Sequence, residues 1–243
     1  MTTLVEIHGH TFYLPALGPD SQVFDLGASN AGFAAVVNEL TGCTCHCAEA
    51  SPSAFGAMIE RPGLNHHNVA IAGHDGPFQM QEGGTVNGRY WVRAGAPDGN
   101  GDGADAVEVE ALTLESFMRR AGVEAPDLVK VDIESAEIDM FNAASDETLK
   151  SVGQFSVEFH DFLDPLLTPG VETVIRRLEG LGFETVVMTR KGHGDVLFLN
   201  RAKIALDRWQ LLYMRTACKY GRGMRRMLAR NLGNLGLGAR PAA

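Results

Sequence analysis

The chain has 243 residues, a formal net charge of −9, 45% hydrophobic and 21% charged residues. That composition suits a folded domain with a real core and excludes disordered, collagen-like and fibrous classes. No apolar run approaches the ~18 residues of a membrane-spanning helix, and the opening MTTLVEIHGH lacks a basic stretch followed by an apolar block, so a cytoplasmic chain is expected. Charge is unevenly spread: residues 1–200 hold 11 Lys+Arg against 29 Asp+Glu, whereas residues 201–243 hold 10 against Asp207 alone. An acidic body repels phosphate, so no nucleic-acid partner is expected, and any contact with an anionic surface falls to the tail.

Residues 1–21 read as a strand-like lead-in. From residue 22 to residue 200, short apolar runs alternate with helix-like stretches, the pattern of a parallel sheet covered on both faces. In chain order we expect a strand over Gln22 to Leu26, a helix over Phe33 to Leu40, a strand over Cys43 to Ala48, a helix over Pro52 to Arg61 and a third strand over Val69 to Ala72. Residues 76–106 are glycine-rich without helical periodicity and predict an irregular, partly strand-like insertion. Beyond it come a helix over Leu112 to Ala121 capped by Thr113, a strand over Leu128 to Val131, a helix over Ser135 to Ala144, a strand over Gln154 to Phe159 and a helix over Val171 to Leu181. Glu184 to Met188 and Val196 to Asn200 close the series as a hairpin. The expected fold is therefore α/β and Rossmann-like: a seven-stranded, mostly parallel sheet with one strand running against the others.

The first chemical signal is Val23-Phe24-Asp25-Leu26-Gly27-Ala28-Ser29-Asn30-Ala31-Gly32, a buried strand, a small-residue turn and a helix start. Small residues there admit a ligand close to the backbone, and the helix start offers free N–H groups. Glu49 follows at the end of the second strand, where a carboxylate can accept both hydroxyls of an adenosine ribose. Gly27, Ser29 and Gly32 have GxGxxG spacing, but Ser29 replaces the glycine that admits a pyrophosphate, which weakens NAD; acidic Asp25 favours a cationic cofactor such as S-adenosylmethionine. Both cofactors stay open on these residues, as does a purely structural turn.

Later residues add a resemblance. Leu128-Val129-Lys130-Val131-Asp132-Ile133-Glu134-Ser135-Ala136-Glu137 resembles the "LKIDVEGAE" signature of the FkbM family of S-adenosylmethionine-dependent methyltransferases. Asp25-Leu26-Gly27-Ala28 is similar to its "DxGAN" turn, Ala48-Glu49-Ala50-Ser51-Pro52 to its "FEPxP", and Ser156-Val157-Glu158-Phe159-His160 to its "iEfH". Four motifs in the same order cover about residues 20 to 200. Ala31 stands where the family has a small glycine, and Ser135 replaces the glycine of "EGAE". The resemblance implies the class I methyltransferase fold, S-adenosylmethionine as cofactor, and an O-methyltransferase acting on a hydroxyl of a glycan, glycolipid or other secondary metabolite. The alternatives are an NAD-dependent oxidoreductase and a non-catalytic membrane-docking module with a vestigial cleft.

Methyl transfer is an in-line displacement that needs donor and acceptor aligned, with a base where the acceptor is a weakly acidic hydroxyl. His160 is the favoured base, with Asp132 and Glu134 positioning the substrate or facing the sulfonium. Asp25, Gly27, Ala28, Ser29, Asn30, Glu49, Ala50 and His74 are expected to border the cofactor, His74 near the adenine. Glu137 and Lys130 are expected to pair locally. A divalent metal held by Asp132, Glu134, Glu158 and His160 is an alternative that is not favoured.

Three signals carry less. Cys43, Cys45 and Cys47 lie on one face of a strand with His46 on the other, so they read as buried small hydrophobes and not as a zinc site. Asp98-Gly99-Asn100-Gly101-Asp102-Gly103 matches half of a calcium loop, but position twelve is Val109. In the tail, Leu206, Trp209, Tyr213, Ala217, Tyr220, Met224 and Leu228 form one helical face, with Arg208, Arg215, Lys219, Arg222 and Arg226 elsewhere on the helix. Residues 203–230 are thus a basic amphipathic helix that docks on the acidic body, or contacts an anionic inner-membrane surface or a lipid-linked substrate.

Overall fold

The computed structural model describes residues 4–81, 106–189 and 192–218. In chain order these form β1 (Leu4–Ile7), β2 (His10–Tyr13), β3 (Gln22–Leu26), α1 (Gly32–Thr41), β4 (Thr44–Ala48), α2 (Pro52–Phe55), β5 (Leu64–His67), β6 (Ala70–Ile71), β7 (Gly76–Gln81), β8 (Ala106–Leu112), α3 (Leu114–Ala121), β9 (Leu128–Val131), α4 (Glu137–Ala143), α5 (Asp146–Ser151), β10 (Gln154–Val157), α6 (Thr168–Gly180), β11 (Phe183–Val187), β12 (Val196–Asn200) and α7 (Arg208–Tyr213). The central sheet has seven strands in the order β11-β12-β10-β9-β3-β4-β5. Only β12 runs against its neighbours, so the Rossmann-like α/β sheet expected from the alternation is the one observed.

Local chemistry sets the boundaries. Central strands such as β9 and β10 are buried along their whole length, the polar Lys130, Gln154 and Ser156 included, as strands covered on both faces are. Gly42, at φ 75°, and Gly122, at φ 68°, end α1 and α3 in the left-handed conformation that glycine adopts without strain. The Thr113 side chain accepts the Ser116 N–H and starts α3.

Two elements differ from expectation. The third sheet strand is Leu64–His67, not Val69 to Ala72; Ala70–Ile71 pairs with β8 in a separate three-stranded sheet with β7. Edge strand β5 is only half-buried, so its LNHH sequence lacks the apolar run that marks a central strand. The helix after β4 stops at Gly56, its C-cap, and covers only Pro52–Phe55. Of the insertion, β7 and the facing β8 are described, whereas the calcium-like stretch Asp98 to Gly103 lies outside the described residues.

Helices α3, α4 and α6 pack their apolar faces on one side of the sheet, around Phe24, Val129, Phe155 and Phe198. On the other side α1 and the β1–β2 hairpin enclose Phe12, Phe33, Val37, Cys43, Cys45 and Cys47. His46 faces the first side, edge-on to Phe24. Tyr13, Leu197, Leu199, Leu211 and Met214 form a further cluster, so the lead-in and the start of the tail pack on the sheet as parts of the same body.

The tail face is not the one the spacing predicts. Leu211 and Met214 are buried, while Trp209 is 78% and Tyr213 49% exposed. Asp207 N-caps α7 with a capping box, so Leu206 lies before the helix, and the turn at Met214–Cys218 is π-helical. Within α7 the buried stripe is thus carried by Leu211 and, at its C-cap, Met214. Lys219, Tyr220, Arg222, Met224, Arg226 and Leu228 lie outside the described residues. Among the described residues, no helix is long and apolar enough to cross a membrane.

Candidate active site

The turn after β3 is set by a close approach. Gly27 has φ +74°, and a Cβ on it would stand 1.8 Å from the carbonyl oxygen of Asp132. Glycine is therefore demanded by the end of β9, and the space beside it is filled by the protein's own backbone. The Gly27 and Ala28 N–H groups both donate to the Ala48 carbonyl, at 2.9 and 3.0 Å. Ala28 is buried, while Ser29, at φ 51°, and Asn30 are exposed at the mouth of the turn. Asn30 accepts the Gly32 N–H through Oδ1.

Asp25 departs from its expected role. Its side chain is fully buried; Oδ1 lies 3.1 Å from Lys130 Nζ and Oδ2 accepts the Ala34 N–H. Lys130 Nζ also donates to the Gly27 carbonyl at 2.7 Å. The cation that Asp25 meets is thus Lys130, and the pair braces the turn from beneath without facing a cofactor. Burial pulls the Lys130 ammonium down, but Asp25 and Asp132 more than offset it and hold its pKa above the ordinary lysine value.

At the end of β4, Glu49 accepts the Ser29 N–H through Oε2 and the Ser51 N–H through Oε1, both at 2.8 Å. Burial raises its pKa against those two bonds. The carboxylate joins the turn after β3 to the loop after β4. Ala50 follows it, its carbonyl taking a bond from Asn68 Nδ2. His74 lies farther out, exposed, its ring 6.4 Å from Phe78. It borders an open cleft of about 720 Å³ with Pro77, Phe78, Ser135, Asp139 and Asn142.

The second wall is a charge network at the ends of β9 and β10. After Val131 the backbone does not continue as a strand: Glu134 and Ser135 have φ of +52° and +80°. This left-handed turn, and not strand alternation, brings Asp132 and Glu134 to one side. Glu137 Oε1, nearly fully buried, accepts the N–H groups of Ile133 and Ser135, at 3.1 Å each, and receives His160 Nδ1 at 3.0 Å. His160 Nε2 lies 3.3 Å from Glu134 and 3.8 Å from Asp132. Burial alone would lower the imidazole, but the Glu137 hydrogen bond and the charges of Glu137, Glu134 and Asp132 outweigh it and raise its pKa to about 9. Asp132 is pushed the other way. Burial raises it, but Lys130, 3.6 Å away, and the two histidines hold it well below the usual carboxylate range.

The structure thus assembles Asp132, Glu134 and His160, and it adds a residue that the sequence reading left in the lead-in. His10 on β2 is buried, with Nε2 3.4 Å from Asp132 Oδ2 and 3.9 Å from Glu158 Oε2. Burial lowers its pKa against the pull of Asp132, the opposite direction to His160. Asp195 accepts both the N–H and the hydroxyl of Thr11 and so anchors β2 at that point. No spacing rule links His10 to Asp132; the paired histidines around Gly9 are the sole local hint. His193, in the loop before β12, places Nδ1 2.7 Å from buried Asp161.

Among the described residues, His10–Asp132–Glu158 and Asp132–Glu134–His160 each bring their ligand atoms within 4.8 Å. Lys130 and His160 pair with Asp132, His160 with Glu134, and His10 reaches Glu158, so they are read as an ion-pair network. The donor set also discriminates between cofactors. A crevice edged by Glu49, Asp132, Glu134 and Glu158 complements a sulfonium and an ammonium and repels a pyrophosphate.

A family profile described as the methyltransferase FkbM domain matches residues 25–185. The chain belongs to the FkbM methyltransferase family. It has the family's S-adenosylmethionine-dependent methyltransferase domain on a class I-type sheet, and the oxidoreductase alternative falls. Glu49, Asp132, Glu134 and His160 lie inside the matched span, while His10 and Asp195 lie outside it. The chain is also similar to Methanococcus jannaschii fibrillarin pre-rRNA processing protein, with 13% identity over 81% of this chain and 80% of that one and a TM-score of 0.41. For M. capricolum TrmK in complex with S-adenosylhomocysteine, the values are 6%, 94%, 85% and 0.41. For precorrin-6y C5,15-methyltransferase from Geobacter metallireducens they are 11%, 76%, 82% and 0.40. No curated protein matches the chain.

Proposed function

We propose that this FkbM-family methyltransferase is an O-methyltransferase whose acceptor is a hydroxyl of a glycan, glycolipid or other secondary metabolite. When bound, S-adenosylmethionine supplies the electrophilic methyl group. Ser29, Asn30 and Glu49 bind and orient the nucleoside end, and Glu49 keeps the turn in register through its two backbone bonds. The observation that carries the hydroxyl assignment is the partly exposed carboxylate rim. Asp132, Glu134 and Glu158 side chains are 27%, 34% and 19% exposed, and ionised carboxylates accept hydrogen bonds from a polyol while repelling phosphate. His160 stands within reach of that rim to take the hydroxyl proton. The acidic body agrees with a nucleic-acid-free acceptor.

Calorimetric titration of the purified protein with S-adenosylmethionine, S-adenosylhomocysteine and NAD tests the cofactor, with saturable binding of the first two alone expected. Incubation with methyl-labelled cofactor and a panel of glycosides and glycolipids then tests the acceptor. Label retained through mild base as an ether supports the reading, and label recovered only on nitrogen, sulfur or a base-labile ester sinks it.

A further inference from the structure

Resting on the O-methyltransferase reading, we propose that His160 is armed as a base by the cofactor's own charge: it gives a proton to solvent when a sulfonium binds and recovers one from the acceptor hydroxyl during transfer.

Three carboxylates converge on the His160 ring and favour its charged form at rest. Nδ1 of His160 lies 3.0 Å from Glu137 Oε1, and Nε2 lies 3.3 Å from Glu134 and 3.8 Å from Asp132. Carboxylates only accept, so Nδ1 carries a proton toward Glu137, and the two carboxylates facing Nε2 favour a second proton there, the imidazolium. Glu137 Oε1 is fixed by two backbone N–H groups, which locks the proton on Nδ1. Nε2, on the side of the partly exposed carboxylates, is the nitrogen free to change. An imidazolium cannot take a proton, so the ligand-free protein holds His160 in the wrong state for a base.

The charges facing His160 show what reverses this. Glu137 comes from α4, Glu134 and Asp132 from the turn after β9, Lys130 from β9, and His10 from β2 through Asp132. Phe162, 5.8 Å away, is the ring beside it on its own turn. Lys130 and His10 both lie toward Oδ2 of Asp132, leaving Oδ1 toward His160. Gly27 abuts the Asp132 backbone, which puts the β3 turn and the Asp132 carboxylate side by side, and a cofactor held at that turn would present its sulfonium to this acidic cluster. Asp132 then serves two cations. Were that charge to lie about 6–8 Å from the imidazolium, at an effective dielectric near 20, it would lower the imidazolium pKa by roughly one to two pH units. That is enough to move His160 from about 9 toward neutrality.

The step balances. The acceptor oxygen lone pair forms the new C–O bond, the S–C bonding pair stays on sulfur, and the hydroxyl proton passes to Nε2 of His160. The neutral sulfide product no longer opposes the imidazolium, which is restored. One proton leaves at binding and one returns at transfer, and the net reaction releases one.

The test is calorimetry at pH 8 in buffers of different ionisation enthalpy, comparing the intact protein with His160→Gln so that the cofactor's own amine cancels. The intact protein should release about half a proton more than the variant with S-adenosylmethionine, and no more than the variant with S-adenosylhomocysteine. If the variant does not fold, histidine ring NMR of the intact protein reads the same property. One imidazole titrating near pH 9 should move down by roughly one to two pH units with S-adenosylmethionine and stay in place with S-adenosylhomocysteine. Equal proton counts for the two proteins, or a titration that S-adenosylmethionine does not move, overturns the proposal while leaving the methyltransferase reading intact. Absence of binding by either cofactor removes the cofactor reading, and the proposal with it.

Discussion

On the β3–β4 wall of the crevice the Glu49 carboxylate is held by backbone N–H groups of Ser29 and Ser51. On the β9–β10 wall Asp132 and Glu134 are held by the side chains of His160, His10 and Lys130. Backbone donors do not titrate, so on the first wall only Glu49 itself can change charge, which suits a constant ligand, the nucleoside. Side-chain cations gain and lose protons, so the second wall responds to charge and suits the step in which a sulfonium disappears. Lys130 joins the two, since it reaches Asp25 and the Gly27 carbonyl on one side and Asp132 on the other.

The comparison breaks most severely at the contact between the walls. Gly27→Ala puts a Cβ 1.8 Å from the Asp132 carbonyl oxygen at φ +74°, where neither backbone can yield without moving a strand. We expect a loss of more than about 4 kcal/mol in urea denaturation, with cofactor binding abolished; a variant that folds and binds normally would show the walls to be independent. Lys130→Met comes next. It strands a fully buried Asp25 carboxylate, at a cost of about 3 kcal/mol, and Asp25→Asn in the same chain should recover much of it. Additive losses would show that the ion pair does not brace the turn.

Strand β12 was legible because burial on both faces writes the apolar run Val196 to Leu199, and β3 and the end of β9 were legible because each leads into a local motif. Strand β5 was not, since an edge strand carrying His66 and His67 leaves no such run. Asp25 was legible as an acid but not as a paired one, because its partner Lys130 comes from another strand of the sheet. His10 was illegible for the same reason. Its role follows from β2 folding back over the sheet, anchored by Asp195 and Gln154, and no periodicity within residues 1–21 encodes that. In the tail the count of threes and fours put Trp209 and Tyr213 on the covered face, where the structure has Leu211 and Met214.

The mildest change sharpens the comparison most cleanly. Ser135 stands where the family signature has glycine, and it sits at φ +80° with its side chain exposed and its N–H on Glu137. Ser135→Gly keeps that hydrogen bond and relieves a left-handed conformation, so it should stabilise the protein by about 0.5–1 kcal/mol, read as a raised urea midpoint. Glu134→Gly relieves a similar strain at φ +52° but removes a carboxylate from His160, so it should show a smaller gain or a loss. If the two glycine variants behave alike, the second wall is held by its backbone as the first is. If they diverge, its shape is maintained by charge against backbone strain.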